Sequence, residues 1–224
     1  FILASPLTIP SLFQVITSNE QIKYRIQFIE GSTFKQMKAV LASKEKLNQK
    51  LTNQTDDELI KLLNIEVGNH HLEGLFYPDT YVFHKGDTDI SILKRAHQRL
   101  QLILNEQWAS RQKNLPLKDK YQALILASIV EKETGAAHER SEIAGVFIRR
   151  LEKRMRLQTD PTVIYGLGDR YQGNITRKHL KEMTPYNTYR IKGLPPTPIA
   201  MVGRDAIHAA VHPDDGNSLY FVAK

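Results

Sequence analysis

The sequence predicts a mixed α+β fold in two parts: a small module to about residue 64, then an α+β domain over 65–224 built round a central buried helix. Three observations carry this. Tyr24-Arg25-Ile26-Gln27-Phe28-Ile29 alternates with the period of a strand and runs into a capped helical pattern. A long helical periodicity occupies Ile90 to Ala109. From Ala123 to Val130 the chain reads ALILASIV, with Ser128 the one polar residue, and a helix apolar on nearly every side is a buried helix.

The elements follow in order. Thr8-Ile9-Pro10-Ser11-Leu12 opens a first helix. The strand near Tyr24 stops at Glu30-Gly31-Ser32, and Ser32 or Thr33 caps a helix with Phe34, Met37, Val40 and Leu41 at helical spacing. Asp56 to Leu63 reads as a second short helix. Strand–helix–helix is the look of a small glycan-binding module, and equally of a plain α+β subdomain. Leu72-Glu73-Gly74-Leu75-Phe76-Tyr77-Pro78-Asp79-Thr80-Tyr81 packs glycine, proline and aromatics into an irregular turn and a strand. Leu115 to Lys120 is a loop, and the buried helix runs from Tyr121 to Glu133. Ser141 caps the next helix, with Ile143, Phe147 and Leu151 on one face. Asp160 at a cap position and Pro161 at the first helical position open another. Asp205 to Val211 is a short helix, and Leu219 to Val222 a final strand.

Composition bounds the function. With 224 residues, 41% hydrophobic and 25% charged, the chain can build a real core. Absence of cysteine excludes disulfides and thiolate metal sites and leaves the redox compartment open. A net charge of +7 suits an anionic partner but does not require one. No apolar run is long enough to cross a bilayer. The start at Phe1 and the strand-like end at Tyr220-Phe221-Val222-Ala223-Lys224 read as an excised piece of a longer protein.

The strongest chemical candidate is Glu131, the first charge met on leaving the buried run, four residues before a helix stop at Gly135. Burial and the negative end of the helix dipole both favour a protonated carboxyl, which is what a general acid needs. Its neighbours Lys132 and Glu133 read as solvated. Arg149 to Arg156 holds five basic residues in eight, best read as a solvated helix face, without the interleaved rings of a single-strand binder. Met183 to Tyr189 and Gly193 to Ile199 are rigid loops whose hydroxyls, amide and rings suit sugars. No zinc, Walker, dinucleotide or nucleophile-elbow motif occurs, His70-His71 points to two faces, and the N-x-T matches at Asn53 and Asn174 read as chance.

Read together, these segments resemble the endolytic murein transglycosylases of the MltG (YceG-like) family. The resemblance rests on LEGLFYPDTY (Leu72–Tyr81), ASIVEKET (Ala127–Thr134), VFIRRL (Val146–Leu151), MRLQTDPTVIYG (Met155–Gly166), PYNTY (Pro185–Tyr189), GLPPTPI (Gly193–Ile199) and YFVA (Tyr220–Ala223), in order. The first 64 residues look like that family's LysM-like subdomain. The chain departs from the pattern at Arg149, where the family usually has Asn, at Thr197, where it has Gly, and at Met201-Val202-Gly203, where it has Asn-Pro-Gly.

The resemblance implies lytic cleavage of the β-1,4 bond between N-acetylmuramic acid and N-acetylglucosamine inside glycan strands, which would limit strand length. Glu131 would be the acid/base, with Glu73, Gln158, Asp160, Tyr165, Asn187 and Tyr189 as groove candidates and neither metal nor cofactor. The implied partners are peptidoglycan strands and cell-wall synthases, not nucleic acid. The implied location is the periplasmic face of the bacterial inner membrane, through an N-terminal anchor outside this chain. Two other readings stand beside it: a two-carboxylate muramidase pairing Glu131 with Asp160, Asp79 or Glu73, and a non-catalytic peptidoglycan-binding module.

Overall fold

A computed structural model describes residues 8–17, 22–52, 54–65 and 71–221 of the chain, with backbone alone for residues 11 and 14–16. Among the described residues the architecture is helix-rich α+β with one two-stranded antiparallel sheet.

Helix α1 (Ile9–Thr17) precedes strand β1 (Tyr24–Gln27). Helices α2 (Phe34–Ala42) and α3 (Asp56–Leu63) each start with a reciprocal capping box, Thr33 with Gln36 and Thr55 with Glu58. The caps satisfy amides that the first turn leaves orphaned, so both helices start where the sequence predicts. Asn64 ends α3 in the left-handed conformation, φ 52°. Strand β2 (Thr80–Phe83) then pairs with β1, setting Tyr24 opposite Phe83 and Ile26 opposite Tyr81. The sheet therefore joins a segment before residue 64 to one after it. Asp89, fully buried, accepts from the amides of Lys50 and Leu51 and ties the end of this unit to α4 (Asp89–Ala109).

Helix α5 (Lys120–Glu133) is the centre of the molecule. Every residue from Ala123 to Val130 is buried, and α4, α6 (Arg140–Glu152), α7 (Asp160–Leu167) and, after the short α8 (Arg177–Lys181), α9 (Arg204–Val211) all pack on it. Ser128, the polar interruption, is satisfied. Its hydroxyl donates to the Ile125 carbonyl at 2.7 Å and accepts from the Ile199 amide at 3.0 Å, pinning the 193–203 loop to the helix. Gly74 presses on the same loop with φ 74°, and a Cβ there would collide with Pro198.

Several sequence expectations are corrected. Helix α6 begins at Arg140 without a side-chain cap, so Ser141 lies inside it. Thr159, not Asp160, holds the cap position of α7, and Asp160 is its first helical residue. Residues 219–221 form no strand, and Val222 lies outside the described residues. The carbonyls of Ser218 and Leu219 are taken by Arg149 and Arg150, so they do not enter a ladder. The same contacts overturn the solvated reading of this basic run at its start. Arg150 is 5% exposed, donates to the Leu157 carbonyl and lies over the Tyr220 ring at 4.9 Å. Asn53 and His70 lie outside the described residues.

Candidate active site

The last turn of α5 carries two glutamates, and they leave it in opposite directions. Residues two apart on a helix point roughly 200° from each other. Glu131 turns inward, its side chain 5% exposed. One oxygen accepts from Arg140 Nη2 at 3.4 Å, the other from the Gly203 amide at 2.9 Å. Arg140 also faces Asp205 at 3.8 Å, and its Nε has no hydrogen-bond partner among the described residues. Glu30, from the turn after β1, leans on Gly203 so closely that a Cβ there would collide with its carboxyl. Burial, then the Glu131 charge, push the Glu30 carboxyl above its ordinary range. Glu131 is thus an internal anchor joining the ends of α5, α6 and α9.

Glu133 turns the other way. It is half-buried, not solvated as expected, and accepts a hydrogen bond from the Thr159 hydroxyl. Burial raises its pKa above the ordinary carboxylate value; the Thr159 donor opposes that, and the charge of Asp160 adds to it. Thr159 is fixed in turn. Its amide donates to the Thr188 hydroxyl at 3.1 Å, and Thr162 meets Thr188 at 2.8 Å. Asp160 accepts from the Tyr189 hydroxyl at 2.7 Å. Gln158, exposed and left-handed at φ 52°, immediately precedes Thr159.

Farther along α7, Tyr165 donates to Glu73 at 3.2 Å and meets the ring of Tyr186 edge-on at 4.9 Å. The other Glu73 oxygen accepts from the Phe34 amide at the start of α2. Burial pushes the Glu73 carboxyl up to about 7, against these donors. Asn187 is an interior brace, 1% exposed, its amide donating to the carbonyls of His179, Leu180 and Glu182 while its oxygen accepts from the Tyr189 amide. It places Tyr189 without facing the groove itself.

The candidates therefore divide. Asp160 and Tyr189 lie by Glu133, and Gln158 precedes its partner Thr159; Tyr165, farther down α7, holds Glu73; Asn187 sits behind; Glu131 is on the far side. Sequence reasoning passed over Glu133, Thr159, Thr162, Thr188, Arg140 and Glu30. The ASIVEKET and LQTDPT motifs held the first two, but nothing local says which glutamate meets which threonine. Among the described residues no three His, Asp or Glu side chains gather as metal ligands would.

A buried helix that delivers a desolvated carboxyl to a rim of hydroxyls, amide and carboxylate is the layout of an acid/base site for a polyhydroxylated substrate. Comparison with known proteins agrees in class: the chain belongs to the YceG-like family, whose model matches residues 1–224. An endolytic murein transglycosylase of Bacillus subtilis (strain 168) is 33% identical over 233 residues, which cover 97% of this chain and 64% of that protein. One from Streptococcus pneumoniae serotype 2 is 31% identical over 159 residues, covering 69% of this chain and 28% of its own length. The chain thus spans less than two thirds of either relative. A crystal structure of a YceG-like protein from Listeria monocytogenes superposes with a TM-score of 0.69 at 32% identity, covering 89% of this chain and 69% of that one.

Proposed function

We infer that this chain carries the catalytic part of an endolytic peptidoglycan lytic transglycosylase, and that Glu133, rather than Glu131, is its acid/base. One observation carries the residue choice. Both oxygens of Glu131 are occupied by internal donors, whereas Glu133 is desolvated beside Thr159, Asp160 and Tyr189. Protonated Glu133 gives its proton to the glycosidic oxygen as the bond to the muramoyl C1 breaks. The carboxylate so formed takes the proton of the muramoyl C6 hydroxyl, whose oxygen closes on C1. Protons balance, no water is consumed, and the product ends in a 1,6-anhydro ring. Gln158, Asp160, Tyr189 and Tyr165 supply polar and ring contacts for successive sugars.

The strand–helix–helix–strand unit from Tyr24 to Phe83 supports a LysM-like reading of the first part, with its closing strand beyond the boundary at residue 64. We extend the proposal to a whole protein anchored at the periplasmic face of the membrane, limiting strand length beside cell-wall synthases.

The test compares two substitutions on purified peptidoglycan. Glu133→Gln should cut turnover by about 10²–10⁴-fold with an unchanged melting temperature. Glu131→Gln should chiefly lower the melting temperature. The reverse pattern would return the role to Glu131. One alternative keeps a specific footing: Asp160 acts electrostatically on Glu133, as the second carboxylate of a muramidase would. Digestion in heavy-oxygen water decides between them. Unlabelled anhydro ends support the lytic reaction, and label at the new reducing end supports hydrolysis.

A further inference from the structure

Lys132 lines a cleft of about 360 Å³ between the turn after β1 and the first turns of α2. Its floor is apolar, made by Phe28, Met37 and Val40, and its rim carries Gln27, Glu30 and Lys132. The Lys132 ammonium donates to the Gly31 carbonyl at 3.2 Å, so the lysine bridges the catalytic helix to this turn. Lys132 immediately precedes Glu133 in α5, and Glu30 on the rim feels the charge of Glu131 one residue before that lysine.

The lining argues against a sugar subsite. A pyranose face packs on an exposed ring, and the one ring here, Phe28, is 4% exposed. What the cleft offers is suited to a short peptide: an apolar floor for small aliphatic side chains, a primary amide for peptide groups, and one carboxylate and one ammonium at the rim. Among the described residues no ion pair within 4 Å holds this carboxylate, though the Arg140 charge acts on it, and its partial desolvation favours a cationic partner. We propose that this cleft holds the peptide stem borne by the muramoyl residue next to the scissile bond, with Glu30 facing the amino group of its diamino acid and Lys132 a stem carboxylate. An extended peptide advances about 3.3 Å per residue, so a three-residue stem extends about 10 Å from its sugar. The proposal rests on the transglycosylase reading for its substrate and adds a peptide requirement to it.

Two cleft-filling substitutions test it: Val40→Trp in the floor and Gln27→Trp on the exposed rim, each checked for an unchanged melting temperature. A synthetic muramoyl pentapeptide is titrated into the protein by NMR, and strands with and without stem peptides (stripped by an amidase) are compared as substrates. The expected result is binding that perturbs Val40 and Lys132 and weakens at least tenfold in whichever variants fold. Those variants should also raise KM on peptide-bearing strands while leaving the rate on stripped strands within twofold. Absent binding, or binding unaltered by both substitutions, overturns the cleft assignment even if cleavage is normal. Peptide binding lost in the variants but with no cleavage of either strand by the wild type would retire the transglycosylase reading and leave the cleft standing.

Discussion

In the proposed reaction, which way a single carboxylate faces decides the chemistry. Glu133 would have to begin protonated, and burial raises its pKa, so activity should fall as pH rises through that value. The two neighbours act on that limb in opposite senses. Thr159→Val removes the donor that favours the carboxylate, so the alkaline limb should move to higher pH while kcat falls. Asp160→Asn removes a charge that disfavours it, so the limb should move to lower pH. A pH–rate profile of each variant checks the sign; identical profiles would dissociate Glu133 from the proton transfer.

Glu73 makes a second residue-scale prediction, for stability. Its folded-state pKa of about 7 lies above the ordinary 4.5, so the folded protein holds the proton more tightly than the unfolded chain. Its contribution is full below about pH 4.5 and is lost as pH rises to about 7. Two to three pKa units correspond to about 3 kcal/mol. Glu73→Gln should flatten that part of the stability–pH curve, measured by denaturant unfolding at pH 4.5, 6 and 7.5.

Among elements, α5 was readable almost completely from sequence, because a long apolar run needs no partner's identity to be recognised as core. The meeting of its end with α6 and α9 was not. Arg140 and Glu131 are both nearly buried, and removing one partner of such a pair leaves the other charge uncompensated. Arg140→Met should destabilise by about 3 kcal/mol, at the low end because the Gly203 amide still donates to Glu131. The double variant Arg140→Met with Glu131→Gln should recover part of the loss. Chemical denaturation of the three variants tests this, and additive losses would show that the two side chains do not act as a pair. The α6 end makes a related point. Arg149 and Arg150 look like a solvated face in sequence, yet they hold the carbonyls of residues 218 and 219, which lie about seventy positions away.

At the scale of the whole molecule, contacts between distant segments hold the groove in shape. The conformation of Gly74 and its contact with Pro198 bring the LEGLF turn against the GLPPTPI loop, and Ser128 fastens that loop to α5. Gly74→Ala must accommodate both a positive φ and a collision, so instead of the roughly 0.4–1 kcal/mol that an unstrained Gly→Ala change gains it should lose more than that. It should also raise KM for glycan strands by shifting Tyr165 and Tyr186; thermal melts and steady-state kinetics read both effects. A variant with unchanged melting and KM would show that the contact is not needed.

The sequence by itself determined the features that local chemistry controls. Threonine caps began α2 and α3 where expected, Asp56–Leu63 formed its helix, Ala123–Val130 was buried, and the run of motifs pointed to the family. Tertiary structure decided the features that depend on long-range partners. Strand β1 found its partner beyond residue 64, and Asn187 became a brace. Of two glutamates one residue apart from the same lysine, one was claimed by Arg140 and Gly203 and the other was offered to Thr159. Helical periodicity says that two such side chains diverge; only the packing of α6, α7 and the 203 loop round that helix end says which of them meets the interior and which the groove.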